Sequence, residues 1–188
     1  LFVEFCEDFD YFPVVFTANQ SVDGKRMPIY HTNVMMCLGE KFSVICSDTI
    51  DDKKERKIVL DHLHHDGKEI IRISEQQMHQ FAGNMLQVLG KDNKRYLVMS
   101  SSAYNSLTEE QIKSVSKYSE IIHSSLETIE ACGGGSARCM MAEVFLPQKF
   151  IIQHFSKEFL NSFGVRFYFY KVMIFENGIS CKITFVNT

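Results

Sequence analysis

The sequence predicts an α/β protein built from repeated ββαβ units, and a recurring order of elements is the main observation behind this fold class. Residues 28–36 and 41–46 have the composition of two strands. A helical pattern over 51–65 follows them, and a third strand is predicted over 69–73. The same order then recurs over residues 81–123. A chain of 188 residues that is 45% hydrophobic can bury a continuous core around such units.

The second unit is predicted from segments that match those of the first in type and order. Strands are predicted over residues 81–89 and 96–99, and a last strand over 120–123. Between them, Thr108 is followed three residues later by Gln111, which forms the capping box of a helix start. The helix therefore takes the same place in both units.

The first strands of the units resemble each other in sequence. HTNVMM at 31–36 aligns with AGNML at 82–86, and ARCMM at 137–141 predicts a third strand of the same kind. Repeats of this length indicate units that are stacked side by side or arranged around an axis, and the sequence leaves both arrangements open.

Arrangement around an axis would bring equivalent polar residues together. Asn33, Asn84 and Cys139 occupy equivalent positions in the three aligned segments. His31 lies two residues before Asn33 and would share its face of a strand. The repeat thus predicts a cleft that contains a cysteine and a histidine.

Charge and cysteine usage narrow the function classes. The 20 basic and 23 acidic residues give a net charge of −3 without a basic block, so we expect no nucleic-acid partner. No uncharged apolar stretch is long enough for a membrane helix, and we expect no membrane partner. The six cysteines are scattered without a CxxC pair, which indicates reduced thiols and a cytoplasmic location. The oligomeric state stays open.

Two regions differ in composition. Residues 148–188 hold 10 of the 23 aromatic residues and carry 5 basic against 2 acidic side chains, unlike the acidic body before them. We therefore expect a domain over 1–147 and an atypical tail over 148–188. Within the tail, 167–170 and 179–186 have strand propensity without clear turn signals. At the other end, apolar residues spaced three and four apart predict a helix over 2–9 that is already under way, which suggests a missing N-terminal portion.

Cys139 is the strongest candidate for chemistry. It follows three glycines and Arg138, and flexible backbone with a neighbouring cation suits a nucleophilic thiol. The alternative is a linker followed by a buried structural cysteine. His31 is a candidate general acid and base for that thiol, although a single histidine on a strand is more often structural.

The remaining motifs give no cofactor. His62 and His65 are three apart on a predicted helix, but no cysteine or carboxylate pattern completes a metal site. The glycines at 133–135 are not followed by the Lys-Ser/Thr of a phosphate loop. We therefore expect neither metal nor organic cofactor.

Three motifs together resemble the guanidino-group-modifying superfamily, which includes arginine deiminases, dimethylarginine dimethylaminohydrolases and amidinotransferases. They are IYHTNVMM at 29–36, QFAGNMLQ at 80–87 and GGGSARCMMAE at 133–143. The chain is most similar to the amidinotransferase-like branch that contains citrulline hydrolases. The resemblance covers residues 2–147 and implies a five-bladed α/β propeller, or pentein, of which 1–147 would be the C-terminal part.

The resemblance also implies a mechanism. Cys139 would attack the central carbon of a guanidinium or ureido group to form a covalent intermediate. His31 would protonate the leaving amine and then activate water. The candidate substrate-binding residues are Asn33, Arg138 and Asn84. Asn84 is expected in a turn or in the wall of the site. The alternative for Arg138 is a solvated position at the end of a strand.

Substrate class and activity are less constrained. Arginine-binding members commonly carry a carboxylate at the position of Asn33, and a neutral amide suits a ureido group such as that of citrulline better. The family's other substrate-binding acids lie in N-terminal blades that no segment matches. The alternatives are thus a truncated, inactive remnant acting as an interaction module, and an amidinotransferase that resolves the same intermediate with an amine.

Overall fold

Strands and helices alternate along the chain in this computed structural model, which describes residues 2–90, 93–142 and 182–187. The helices are α1 (Phe2–Asp8), α2 (Thr32–Met35), α3 (Lys53–His65), α4 (Glu75–His79), α5 (Ser101–Ser106), α6 (Glu109–Ser116) and α7 (Glu127–Gly133). The strands are β1 (Tyr11–Phe16), β2 (Asn19–Val22), β3 (Lys25–Pro28), β4 (Met36–Leu38), β5 (Phe42–Ile45), β6 (Glu69–Arg72), β7 (Leu86–Leu89), β8 (Arg95–Ser100), β9 (Glu120–Ser124) and β10 (Lys182–Asn187).

Two three-stranded sheets of the same topology confirm the predicted ββαβ units. In the first sheet, β5 pairs antiparallel with β4 and parallel with β6. In the second, β8 pairs antiparallel with β7 and parallel with β9. The parallel pair in each unit requires a crossover, which α3 supplies in the first unit and α5 with α6 in the second. The described residues form no closed ring of five units, so the propeller stays a prediction.

The helix α3 shows how local sequence determines these elements. The Asp52 side chain caps it by accepting hydrogen bonds from the amides of Lys54 and Glu55. Val59 and Leu63 are fully buried on its inner side. Gly67, with φ of +70°, follows the helix and turns the chain towards β6.

The first strand of each unit is shorter than predicted, and the strand predicted at 137–141 is wrong. Segments 28–36 and 81–89 form strands only at β4 and β7, apart from the end of β3, and segment 137–141 holds a 3₁₀ turn, Ala137–Met140, instead of a strand. Each of the three segments contains a turn that is closed by a hydrogen bond from a backbone N–H to the carbonyl three residues earlier. The donors are Val34, Asn84 and Cys139, and the acceptors are His31, Phe81 and Ser136 in the same order. Tight turns therefore replace the expected strand alternation at all three equivalent positions.

One apolar core joins the two units, and β4 contacts β7. It includes fully buried Phe42, Met35 and Leu97. The helix predicted at 2–9 is confirmed as α1, and Cys6 is the only one of its described residues that is buried. The exposed ring of Phe5 lies against Phe9, with the ring centroids 4.7 Å apart.

The tail contributes one described strand. β10 pairs in parallel with β1, with Tyr11 opposite Lys182, and confirms the later part of the strand predicted at 179–186. The strand predicted at 167–170 lies outside the described residues. The division at 147/148 stays a prediction. Within the described ranges, none of the helices has both the length and the apolar character needed to cross a membrane.

Two glutamines from the capping boxes link the units. Gln77 is the third residue of α4 and Gln111 is the third residue of α6, and each side chain caps its own helix. Gln77 Nε2 donates to Gln111 Oε1 over 2.7 Å, and Gln111 Nε2 donates to the carbonyl of Arg72 over 2.6 Å. Each amide therefore closes one helix start and also reaches a neighbouring element.

We expect Gln77→Ala to lower the free energy of unfolding by about 1–3 kcal/mol, because it removes a cap and leaves partners of a half-buried network unpaired. Gln76→Ala is the matched control, since Gln76 is the exposed neighbour on the same helix. Urea unfolding of both variants measures the difference. Equal midpoints for the two variants would contradict the role of the network.

Candidate active site

Three turns from different parts of the chain meet at the sulfur of Cys139. Asn84 Nδ2 lies 3.2 Å from Cys139 Sγ, and Asn33 Nδ2 lies 3.8 Å from it. The structure thus brings together Asn33, Asn84 and Cys139, the three residues that the repeat aligned. The turns, rather than strand faces, supply the convergence.

Asn84 holds this arrangement through all of its amide atoms. Its Oδ1 accepts the backbone N–H of Arg138 over 3.0 Å, and its Nδ2 also donates to the carbonyl of Asn33 over 3.0 Å. A backbone N–H can only donate, so this contact determines which end of the amide points to the sulfur. Asn84 is 3% exposed, which makes it a buried clamp between the turns.

Cys139 itself is exposed, unlike the buried structural cysteine that was the alternative to a nucleophile. Cys6, Cys37 and Cys46 are buried, and burial raises the pKa of the Cys46 thiol to about 11. A side chain at Gly135 would place its Cβ 3.2 Å from Cys139 Sγ. The glycine therefore leaves room for the sulfur at the surface.

Asn33 has an acceptor without a partner. Its Oδ1 is buried and receives no hydrogen bond within the described part of the chain. A buried amide oxygen without a donor is costly, by about 1–3 kcal/mol. Nδ2 of the same amide faces Cys139 Sγ, so the unpaired oxygen belongs to a side chain at the site.

His31 does not share a strand face with Asn33, and this expectation is wrong because Thr32–Met35 is the helical turn α2. His31 has extended backbone at the N-terminus of that turn and is exposed. Its ring contacts Tyr30 edge-on, with the centroids 4.8 Å apart. No hydrogen bond joins His31 to Cys139 among the described residues, so its partnership with the thiol stays a prediction.

Arg138 contributes its backbone to the site through Asn84, and its side chain is half-buried. A role for its guanidinium in substrate binding stays a prediction. The histidine cluster of α3 shows a structural contact, since the His62 ring lies 5.0 Å from that of Phe12. In the described ranges, no group of three or more potential ligands is placed to hold a metal ion.

Sequence reasoning missed a buried carboxylate behind the cysteine. Glu130 of α7 accepts hydrogen bonds from Ser136 over 2.6 Å and from Ser102 over 2.7 Å. The pKa of the Glu130 carboxyl lies below its ordinary value. Burial by itself would raise this pKa, but the hydrogen bonds from the hydroxyls of Ser100, Ser136 and Ser102 lower it by more. The only signal in the sequence was an acidic residue three positions before the first of the glycines.

Comparison with known families gives a match over most of the chain. The model of the family described as N,N dimethylarginine dimethylhydrolase, eukaryotic, matches residues 1–146. This range contains every residue of the site. A search of curated proteins found no match to the chain.

We expect Gly83→Ala to destabilise the protein by about 1–3 kcal/mol, because overpacking forces a backbone shift. A Cβ at Gly83 would lie 2.3 Å from the carbonyl oxygen of Val34, next to Asn33. Gly133→Ala is the control, since a Cβ there meets nothing within 4 Å. Thermal unfolding measures both variants, and a Gly83→Ala protein as stable as the control would refute the close approach.

Proposed function

The chain belongs to the N,N dimethylarginine dimethylhydrolase family and so to the guanidino-group hydrolases, and we propose that Cys139 is its nucleophile on a ureido or guanidino C–N bond. The observation that carries this proposal is the exposed sulfur between two asparagine amides. One of those amides keeps an unpaired, buried oxygen at the same place. The proposed nucleophile thus lies beside an amide whose oxygen has no donor.

Asn84 favours the reactive form of the thiol. A donor to sulfur stabilises the thiolate more than the thiol, and the buried side chain cannot turn away without losing Arg138 N–H. The thiolate is the nucleophilic form. Asn84 therefore acts as a positioning and activating residue, in addition to forming the wall of the site.

The proposed reaction has two steps, formation of a covalent intermediate and its hydrolysis. The Cys139 thiolate attacks the central carbon, a C–S bond forms, and the C–N bond breaks as His31 gives a proton to the leaving amine. Water then attacks the same carbon and transfers a proton to His31, and the C–S bond breaks to regenerate the thiolate. The exposed position of His31, two residues before Asn33, suits exchange of that proton with an entering substrate.

The description of the matched family names dimethylarginine, a guanidino compound, whereas the Asn33 amide leads us to propose that a neutral ureido group of the citrulline type is also a substrate and is preferred at this position. The Asn33 Oδ1 can accept one N–H of such a group, whereas a buried guanidinium also needs a compensating negative charge. The Asn33 amide is neutral. Arg138 is the candidate partner for a carboxylate of the substrate, through a charge-assisted hydrogen bond.

We expect Cys139→Ala to lower the rate at which the leaving amine (ammonia, or dimethylamine from dimethylarginine) is released by about 10⁴-fold or more, because the covalent route is lost. His31→Ala should lower it by about 10²- to 10⁴-fold through loss of acid and base catalysis. Product release from citrulline, arginine and dimethylarginine by the purified chain measures both. Cys132→Ala, which alters the other exposed cysteine of the described residues, is the control.

The same assay separates the alternatives. Full activity in Cys139→Ala would refute the assignment of Cys139 as the nucleophile. Turnover that appears only when an acceptor amine is added would favour an amidinotransferase. A folded chain that is silent on all three compounds, with and without an amine, would favour the inactive remnant.

Substrate preference is tested at Asn33. We expect Asn33→Asp to shift the ratio of kcat/KM towards arginine over citrulline by about tenfold, because the new carboxylate compensates a guanidinium. The kcat/KM values of both substrates measure the shift. Asn105→Asp makes the same change at an exposed position of α5 and should leave the ratio unaltered. An unchanged ratio in Asn33→Asp would refute the contact with the substrate.

A further inference from the structure

We propose that Glu130 is a positioning residue for Cys139, an inference that rests on the function proposed above. Its carboxylate ties the segment ahead of the cysteine to the junction between β8 and α5. Ser136, which is fully buried, lies on the cysteine side of this link, and Ser102 lies on the other. Glu130 itself does not contact the sulfur in the structure, and it acts through the backbone.

The link reaches Cys139 through one further hydrogen bond. The carbonyl of Ser136 accepts the N–H of Cys139 over 3.1 Å, which closes the turn that carries the sulfur. On the other side of the same turn, Arg138 N–H is held by Asn84. The turn is therefore held at Ser136 by Glu130 and at Arg138 by Asn84. Loss of either hydrogen bond lets the sulfur move relative to the Asn84 amide.

A carboxylate suits this place better than the other side chains of its size. Glu130 is 9% exposed, so its charge is costly unless donors surround it. Serine hydroxyls are such donors, and two carboxylate oxygens can accept all of them at once. A glutamine would offer a single oxygen, and its NH₂ group would require one serine to reverse its hydroxyl. The charge is therefore what holds the serines in a single arrangement.

The helix α7 gives the link its rigidity. Gly134 ends the helix in the left-handed region, with φ of +65°, and its N–H returns to the carbonyl of Glu130 over 3.2 Å. Glu130 therefore fixes both ends of the 131–135 segment, through its backbone at Gly134 and through its side chain at Ser136. Without the side-chain link, glycines 133–135 would leave the start of the turn free to rotate.

The test measures Cys139 directly, without turnover. The pH dependence of alkylation by iodoacetamide, followed at Cys139 by peptide mass analysis, gives the apparent pKa of the thiol in the full chain. We expect Glu130→Gln to raise that pKa and to slow alkylation at neutral pH by about tenfold, because Asn84 no longer stays within reach of the sulfur. Glu127→Gln, an exposed residue of the same helix, is the matched control and should match the wild type.

The direction of the pKa change separates the possible roles. If Glu130 acted only through its charge, its neutralisation would lower the pKa of the thiol, since a nearby negative charge disfavours the thiolate. If it were only structural, Glu130→Gln would lower the melting temperature and leave the pKa unchanged. Either result would overturn the proposal. In turnover, positioning predicts a kcat lowered by about ten- to a hundredfold with little change in KM.

Ser136→Ala is a second, independent variant for this test. It replaces Glu130→Gln if that variant does not fold. It should raise the pKa of the Cys139 thiol as well, and the double variant should show no further change, because both residues act through one link. Additive effects in the double variant, or a wild-type pKa in Ser136→Ala, would overturn the proposal. A raised thiol pKa in a chain that turns over none of the compounds would support the positioning role while refuting the proposed function.

Discussion

The side-chain amide of Asn84 is the contact on which the rest of the site depends. It joins three turns that are 51 and 55 residues apart along the chain, because an amide has a donor and an acceptor on one rigid plane. A hydroxyl or a carboxylate could not accept the Arg138 N–H and donate twice in the same geometry. Burial then makes each of these bonds hard to exchange for water, which keeps the sulfur and Asn33 at a constant separation.

This separation in turn depends on how the two ββαβ units are held against each other. The core is continuous across them, and polar contacts reinforce it at the periphery: Glu40 pairs with Arg95, and Glu69 accepts from Lys117 over 3.0 Å. Such exposed pairs contribute little individually. The half-buried link between Gln77 and Gln111 contributes more, because neither amide can be satisfied by water without opening the interface. The Cys139 sulfur lies at the surface of the junction that these contacts hold together.

The sequence was sufficient to predict the units, their order and the meeting of Asn33, Asn84 and Cys139. The reason is that the apolar residues that build the sheets repeat in the same order in both units. It was insufficient for the turns, since a polar residue inside an apolar run does not reveal whether the backbone continues as a strand or closes on itself. The position of His31 was wrong for this reason. Glu130 was missed because burial of a carboxylate depends on three serines, none of which marks a site in the sequence.

The neutral character of the two asparagines bears on how the thiolate forms. A cationic substrate beside Cys139 would itself lower the pKa of the thiol, since an opposite charge favours the charged form. A neutral ureido group brings no such help, and the protein must then supply the stabilisation. Asn84, which donates to the sulfur over 3.2 Å, is a donor of this kind, and the unpaired Asn33 oxygen is a neutral acceptor rather than a counter-charge. A neutral donor on the sulfur and a neutral acceptor at Asn33 add no counter-charge to the site, and for this reason the proposed substrate is one without charge at its reacting carbon.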